Sequence, residues 1–329
     1  MIINRNFIRI YRSQRGAALL IMMLLLFIVS MAVLLKGIGK NTQLHGAAAT
    51  SAALAKAKDA LIAYAVMYAD NYPPNGAGAG HLMCPDTDSP AFDVNGLPVA
   101  PYGSSNSPCG PNAIGRLPHS ITLPSGSLFP LSDDGSGIDQ QFWYAVTDAF
   151  IATPNVGVIN TLNSTTPGSL TLDGQGDVVA VIIAPGSAVT GQNRPSRNAA
   201  DYLEAGNVSG PDFVTNYPTD PDNFNDKVLA LRRSELMPLV TARVAEEMKK
   251  HIDAYHVLTG AYPTDQATFF TAAFVGAPQW LSTNNWLAAT TTTYTQISSD
   301  SATLVFNGCG IIYTLTFGTT TLGRSQTHC

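Results

Sequence analysis

The chain is short of charge and of catalytic signatures. Of its 329 residues only 12% are charged, about half the usual share. Gly, Pro, Ser, Thr and Asn are plentiful instead, which suits a secreted β-rich or loop-rich body. No nucleophile elbow, phosphate-cradling loop, His-Glu-x-x-His or Cys-x-x-Cys occurs, so the common sequence marks of hydrolytic, nucleotide and metal chemistry are missing. The chain reads as a non-enzyme. Its six histidines are scattered, and His251 and His256 lie five apart, off a common helical face. Basic residues are scarce too. Setting aside Arg5, Arg9, Arg12 and Arg15 leaves 14 basic residues against 23 acidic, a formal charge of −9. An acidic body argues against a nucleic-acid partner.

Cysteine is limited to Cys84, Cys109, Cys309 and Cys329. Three pairings are possible. Local loop closure favours Cys84–Cys109 and Cys309–Cys329 in an oxidising setting. A zinc site is the lesser alternative, because no pair has the tight spacing of zinc knuckles.

No charge separates Arg15 from Lys36. Residues 17–35 are 19 uncharged, mostly apolar positions, about the length that spans a bilayer as a helix. The arginines before them predict an N-terminus held in the cytoplasm with the rest outside. An ordinary uncleaved signal anchor would show the same run and the same asymmetry. The junction Arg12-Ser13-Gln14-Arg15-Gly16-Ala17-Ala18-Leu19 narrows the choice, because a basic leader ends in one Gly directly before the apolar run. It resembles the leader of type IV prepilins and type II secretion pseudopilins. The resemblance implies cleavage by a prepilin peptidase after Gly16 and methylation of Ala17. It also implies other pilin or pseudopilin subunits and an inner-membrane assembly platform as partners. Most members carry Glu at the fifth mature position, where this chain has Ile21. The large minor pseudopilin shares that apolar position and an oversized head, which implies a place at or near the filament tip.

Helical spacing continues past the apolar run. Leu54, Ala57, Leu61, Tyr64, Ala65 and Tyr68 share one face, and Pro73-Pro74 stops the run. A helix continuous from Ala17 to Asp70 would be about 80 Å long. Residues 73–135 read as irregular, Ile138–Ala149 as a core element and Asp177–Ala184 as a strand. A second helix is expected over Ser234–Leu258, and its end, Tyr262-Pro263, repeats Tyr72-Pro73. The segment Ile252–Thr264 resembles the helix end of the major pseudopilin. Strands are expected at Thr290–Ile297, Ala302–Phe306 and Ile311–Phe317. Several segments, among them Cys84-Pro85-Asp86 and Phe142-Trp143-Tyr144-Ala145-Val146, also resemble large, uncharacterised pilin-like proteins of Gram-negative bacteria.

The expected architecture is therefore α+β. A leader (1–16) precedes a long pilin-type helix (17–72, with 17–35 transmembrane). A first head domain (73–233) and a second helix-plus-sheet domain (234–329) follow as two pilin-like headpieces in tandem. The expected role is a minor pilin or pseudopilin, single-pass in the inner membrane with its head in the periplasm, or at an extracellular filament tip. The alternative is a membrane-anchored periplasmic binding or adhesion protein outside any filament. No cofactor is required. Two acidic loops, Asp133, Asp134 and Asp139, and Asp220, Asp222 and Asp226, offer alternating oxygens of the kind calcium takes. The same residue types also cap helices and make turns. Trp280 and Trp286 flank polar Ser282-Thr283-Asn284-Asn285, which fits a surface contact.

Overall fold

A computed structural model of the protein describes residues 47–72, 77–87, 91–92, 98–99, 109, 113–131, 141–153, 158–196, 198–325 and 329. The chain forms two units, Met1–Thr50 and Ser51–Cys329, and the described residues from 51 onward belong to the second.

Helix α1 runs over 47–71, with one relaxed turn at Met67. Its inward face is the one that the spacing predicts. Leu54, Ala57, Leu61, Tyr64, Ala65 and Tyr68 are all buried, while Ala52, Lys56, Asp59 and Met67 face water. Tyr72 leaves helical geometry (φ −129°, ψ 53°), as a residue before proline tends to do. Its ring stacks on Tyr68 with centroids 4.6 Å apart.

A six-stranded sheet follows. Its strands are β1 (Ile114–Arg116), β2 (Trp143–Val146), β3 (Leu170–Leu172), β4 (Gln175–Ala184), β5 (Asp212–Phe213) and β6 (Lys227–Arg232). The order is β5-β3-β4-β2-β1, with β6 also paired to β4. The β3–β4 hairpin turns on Asp173 and Gly174, both at positive φ (52° and 74°), the requirement of a two-residue turn that matches strand twist. Strand β4 is the axis of the sheet. From Val178 to Ala184 every residue is buried. A strand covered on both faces needs apolar residues at successive positions rather than alternate ones. One face of β4, with Ala180, Ile182 and Ala184, joins the core shared with the helices. The other, with Val178, Val181 and Ile183, packs against Tyr202, Leu203 and Phe213.

Helix α2 (Arg233–Thr259) leaves β6 without a loop. Its start is capped by Glu235, whose Oε2 accepts the Arg232 N–H at 2.9 Å. It ends on Gly260 at φ 82°, whose N–H bonds the His256 carbonyl, a left-handed stop that glycine adopts without strain. Two short helices, α3 (Gln266–Ala272) and α4 (Gln279–Thr283), lead to an antiparallel meander of β7 (Thr292–Ser298), β8 (Ser301–Phe306), β9 (Ile311–Thr316) and β10 (Gly323–Arg324). Burial alternates strictly along β8 and β9, so this sheet has one wet face.

These findings correct the expected architecture. The leader and the apolar run 17–35 lie outside the described residues. Among the described residues no helix is long and apolar enough to cross a membrane. Lys56, Lys58 and Asp59 already interrupt α1, and the body beyond it is β-rich. The long pilin-type helix over 17–72 and the single-pass inner-membrane placement are therefore not retained. Nor do two alike headpieces follow one another. The first sheet is built on a central strand buried on both faces and includes a parallel β3–β5 pair, whereas the second is a simple meander.

Candidate functional site

Among the described residues a connected network of polar side chains runs through the largely irregular segment 185–226, which covers the outer face of the first sheet. We refer to it as the strap. Apart from β5 and three short 3-10 turns it has no ladder of its own, and side chains satisfy much of the remaining backbone. Arg194 donates to the carbonyls of Gly186, Asp201 and Tyr202 and to Gln192 Oε1, at 2.6–3.0 Å. Arg116, buried on β1, donates to the Ser196 carbonyl at 2.9 Å. Both guanidiniums approach the Tyr202 ring, at 4.8 and 4.6 Å from its centroid, within cation–π range. Asn225 seats against Gly186 so closely that a Cβ there would fall 1.9 Å from its Oδ1, and only glycine fits. The Asn225 amide donates to the Ser187 carbonyl at 2.7 Å.

Glu204 and Asp226 close the strap. Glu204 Oε2 accepts the backbone N–H groups of Asn225 and Asp226 at 3.2 and 3.1 Å, and Oε1 accepts Gln192 Nε2 at 3.1 Å. Asp226 Oδ2 accepts the Glu204 N–H and Asn207 Nδ2, each at 3.0 Å. Burial pushes the Asp226 pKa up, to about 8, with the Glu204 charge adding to the rise.

The expected acidic loops have a different fate. Asp133, Asp134 and Asp139 lie outside the described residues. Asp220 and Asp222 are exposed, and Asp220 accepts both bonds from Asn223 Nδ2, a local turn of the kind Asx residues make. Asp226 points instead into the strap among N–H donors. Among the described residues no group of three or more His, Cys, Asp or Glu is placed to hold a metal ion. Gly16 and Ala17 lie outside the described residues. Cys84 is linked to Cys109 and Cys309 to Cys329.

The tryptophans at 280 and 286 are core residues, not a surface platform. They are 4% and 0% exposed. The polar run between them turns inward at Asn284, whose Oδ1 accepts the Leu162 N–H and whose Nδ2 donates to the Trp280 carbonyl, both at 2.9 Å. A buried amide with both ends satisfied fixes a chain crossing as firmly as an apolar contact.

Two further clusters hold the elements together. Arg233, the first residue of α2, donates to the carbonyls of Thr166, Ser164 and Gly308. It thereby ties the first sheet's loops to the β8–β9 turn. At the far end of α2, Asp253 accepts from Lys249 and from the Tyr262 hydroxyl, each at 2.5 Å. Nearby, His256 Nε2 meets Asp300 Oδ1 at 2.7 Å while its ring stacks on Phe317 at 3.8 Å. Burial, then the Asp253 bond, raises the Tyr262 pKa, so its hydroxyl stays a donor.

Comparison with family models, with curated proteins and with solved structures finds no match.

Proposed function

We propose that the protein is a structural subunit, not a catalyst: a minor pilin or pseudopilin that acts at or near the tip of a type IV pilus or type II secretion pseudopilus. One observation carries this reading, the junction Arg15-Gly16 directly before the 19 uncharged residues that begin at Ala17. A leader ending there is what a prepilin peptidase recognises in the family that the sequence resembles. Ile21 supports the tip position. A filament shaft that pairs each amino terminus with a neighbour's acid has no place for a subunit lacking one. The size of the body supports it too, because Ser51–Cys329 is a single compact unit that excludes close neighbours by volume. The two disulfides and the Arg233 clamp suit a stiff part that transmits load. The partners on this reading are the peptidase, other pilin-like subunits and the assembly machinery that takes them up.

The test is mass spectrometry of the amino terminus in the native host. With the peptidase present the chain is expected to begin at Ala17, with or without a methyl group, and without it at Met1. Gly16→Leu should block the cut. An identical amino terminus with and without the peptidase overturns the reading. Even distribution along purified filaments at major-subunit stoichiometry removes the tip assignment.

A further inference from the structure

Glu204 and Asp226 meet from distant points of the strap, and each carboxylate accepts the other residue's backbone N–H. These reciprocal bonds hold two acids side by side at 7% and 5% exposure. Two carboxylates in one buried site resist ionising together. A second observation points the same way: Asp226 Oδ1 is buried and has no hydrogen-bond partner among the described residues, a costly state for an ionised oxygen. One proton on that oxygen resolves both difficulties. It neutralises one acid and turns the orphaned acceptor into a donor toward the other.

We propose that Asp226 keeps its proton beside the Glu204 carboxylate, and that this proton latches the strap onto the outer face of the first sheet so that rising pH releases it. The device is independent of the filament reading. It ties together Gln192 through Glu204, Asn207 through Asp226, and Asn225 through its N–H. The raised pKa of Asp226 agrees with it. The other charged groups on the elements packed here have other attachments. Arg194 reaches the pair only through Gln192. Asp201 accepts from Ser196 and Asn193. Arg116 donates to Ser196. Asp220 and Asp222 are exposed, and Lys227 opens β6 beside the pair, half-buried.

The direction of the pH effect follows. An aspartate in the unfolded chain has a pKa of about 3.9, and the folded strap holds its proton more tightly. The stabilisation is complete below about pH 4 and is lost as pH rises through about 8. Between these limits one proton is released on opening, so the opening constant rises about tenfold per pH unit and then levels off.

Hydrogen exchange on the full chain, corrected for intrinsic rates, reads this directly. Amides of Glu204, Asn207, Val214 and Asp226 should show the tenfold-per-unit rise between pH 5 and pH 7.5, while those of β8 and β9 stay flat. Asp226→Asn should abolish the slope in the strap. If that variant fails to fold, Glu204→Gln should make the rise level off at a lower pH instead, because it removes the charge that adds to burial in holding the proton. An infrared band of a protonated carboxyl at pH 6, absent in Asp226→Asn, is the second readout. A flat wild-type profile, a profile unchanged in the variants that fold, or no protonated carboxyl at pH 6 overturns the proposal.

Discussion

The two sheets solve the problem of cover in opposite ways. The meander β7–β10 gives one face to the core and the other to water, so its strands alternate and its outer surface needs no partner. The first sheet is covered on both faces, by helices on one side and by an irregular strap on the other. Irregular cover carries backbone groups that water cannot reach, and each needs a partner. This is why Arg194, Glu204, Asn207 and Asp226 gather on the strap, with Arg116 reaching it from β1, and have no counterpart among the described residues on the outer face of the meander.

The comparison predicts very unequal costs for the same change. Ile182, on β4, is fully buried, and Ile312, on β9, is 36% exposed. Ile182→Ala should destabilise the fold by about 2–5 kcal/mol. Ile312→Ala should stay within about 0.5 kcal/mol. Denaturant titration of both variants decides. Equal losses would mean that the wet face of the meander is covered in the native state and that the contrast is false.

Arg233 sharpens the contrast by testing whether the two sheets fold as one body. It binds carbonyls from the loop after β2 and from the β8–β9 turn at once. Arg233→Ala leaves those carbonyls unpartnered, at a cost of about 2 kcal/mol. The whole unfolding transition should shift as a single step. Lysine should not restore it, because a point charge cannot reach three acceptors as a planar fork does. Two separate transitions in the variant would show that this residue alone couples the sheets.

What could be read from the sequence follows the same division. The inward face of α1 was legible position by position, because a helix buried on one side repeats its apolar residues every three or four positions. Strand β4 was legible as an unbroken apolar run, and the expected strands of the meander differ from those observed by at most two residues at either end. Three features were not legible. Strand β6, Lys-Val-Leu-Ala-Leu-Arg, lies between a polar loop and a helix and shows no period of its own. The β3–β4 hairpin left one sign, the Asp173-Gly174 pair, which is short and lies between two runs of mixed polarity. The strap left none, since Glu204 and Asp226 are brought together only by the tertiary fold. Trp280 and Trp286 misled for a related reason: polar neighbours suggest a surface unless the fold provides their partners, as Leu162 and Trp280 do for Asn284. The cleavage junction at Gly16 and Ala17 rests on sequence resemblance, because the described residues begin at 47.

The smallest effects should lie where the helices themselves meet. Lys58 of α1 pairs with Glu235 of α2 at 2.5 Å, and Asp70 pairs with Arg243 through two bonds of 2.6 and 3.2 Å. The Arg243 fork also holds Glu247 at 3.0 Å. A forked contact loses less freedom per bond than a lysine does. A double-mutant cycle should therefore assign about 1 kcal/mol to Asp70–Arg243 and about half that or less to Lys58–Glu235, the range of partly exposed pairs. The cycle is needed because Glu235 also caps α2, so its single substitution mixes two losses. If both couplings vanish, apolar packing alone holds α1 on the body, and the charges on its rim serve solubility only.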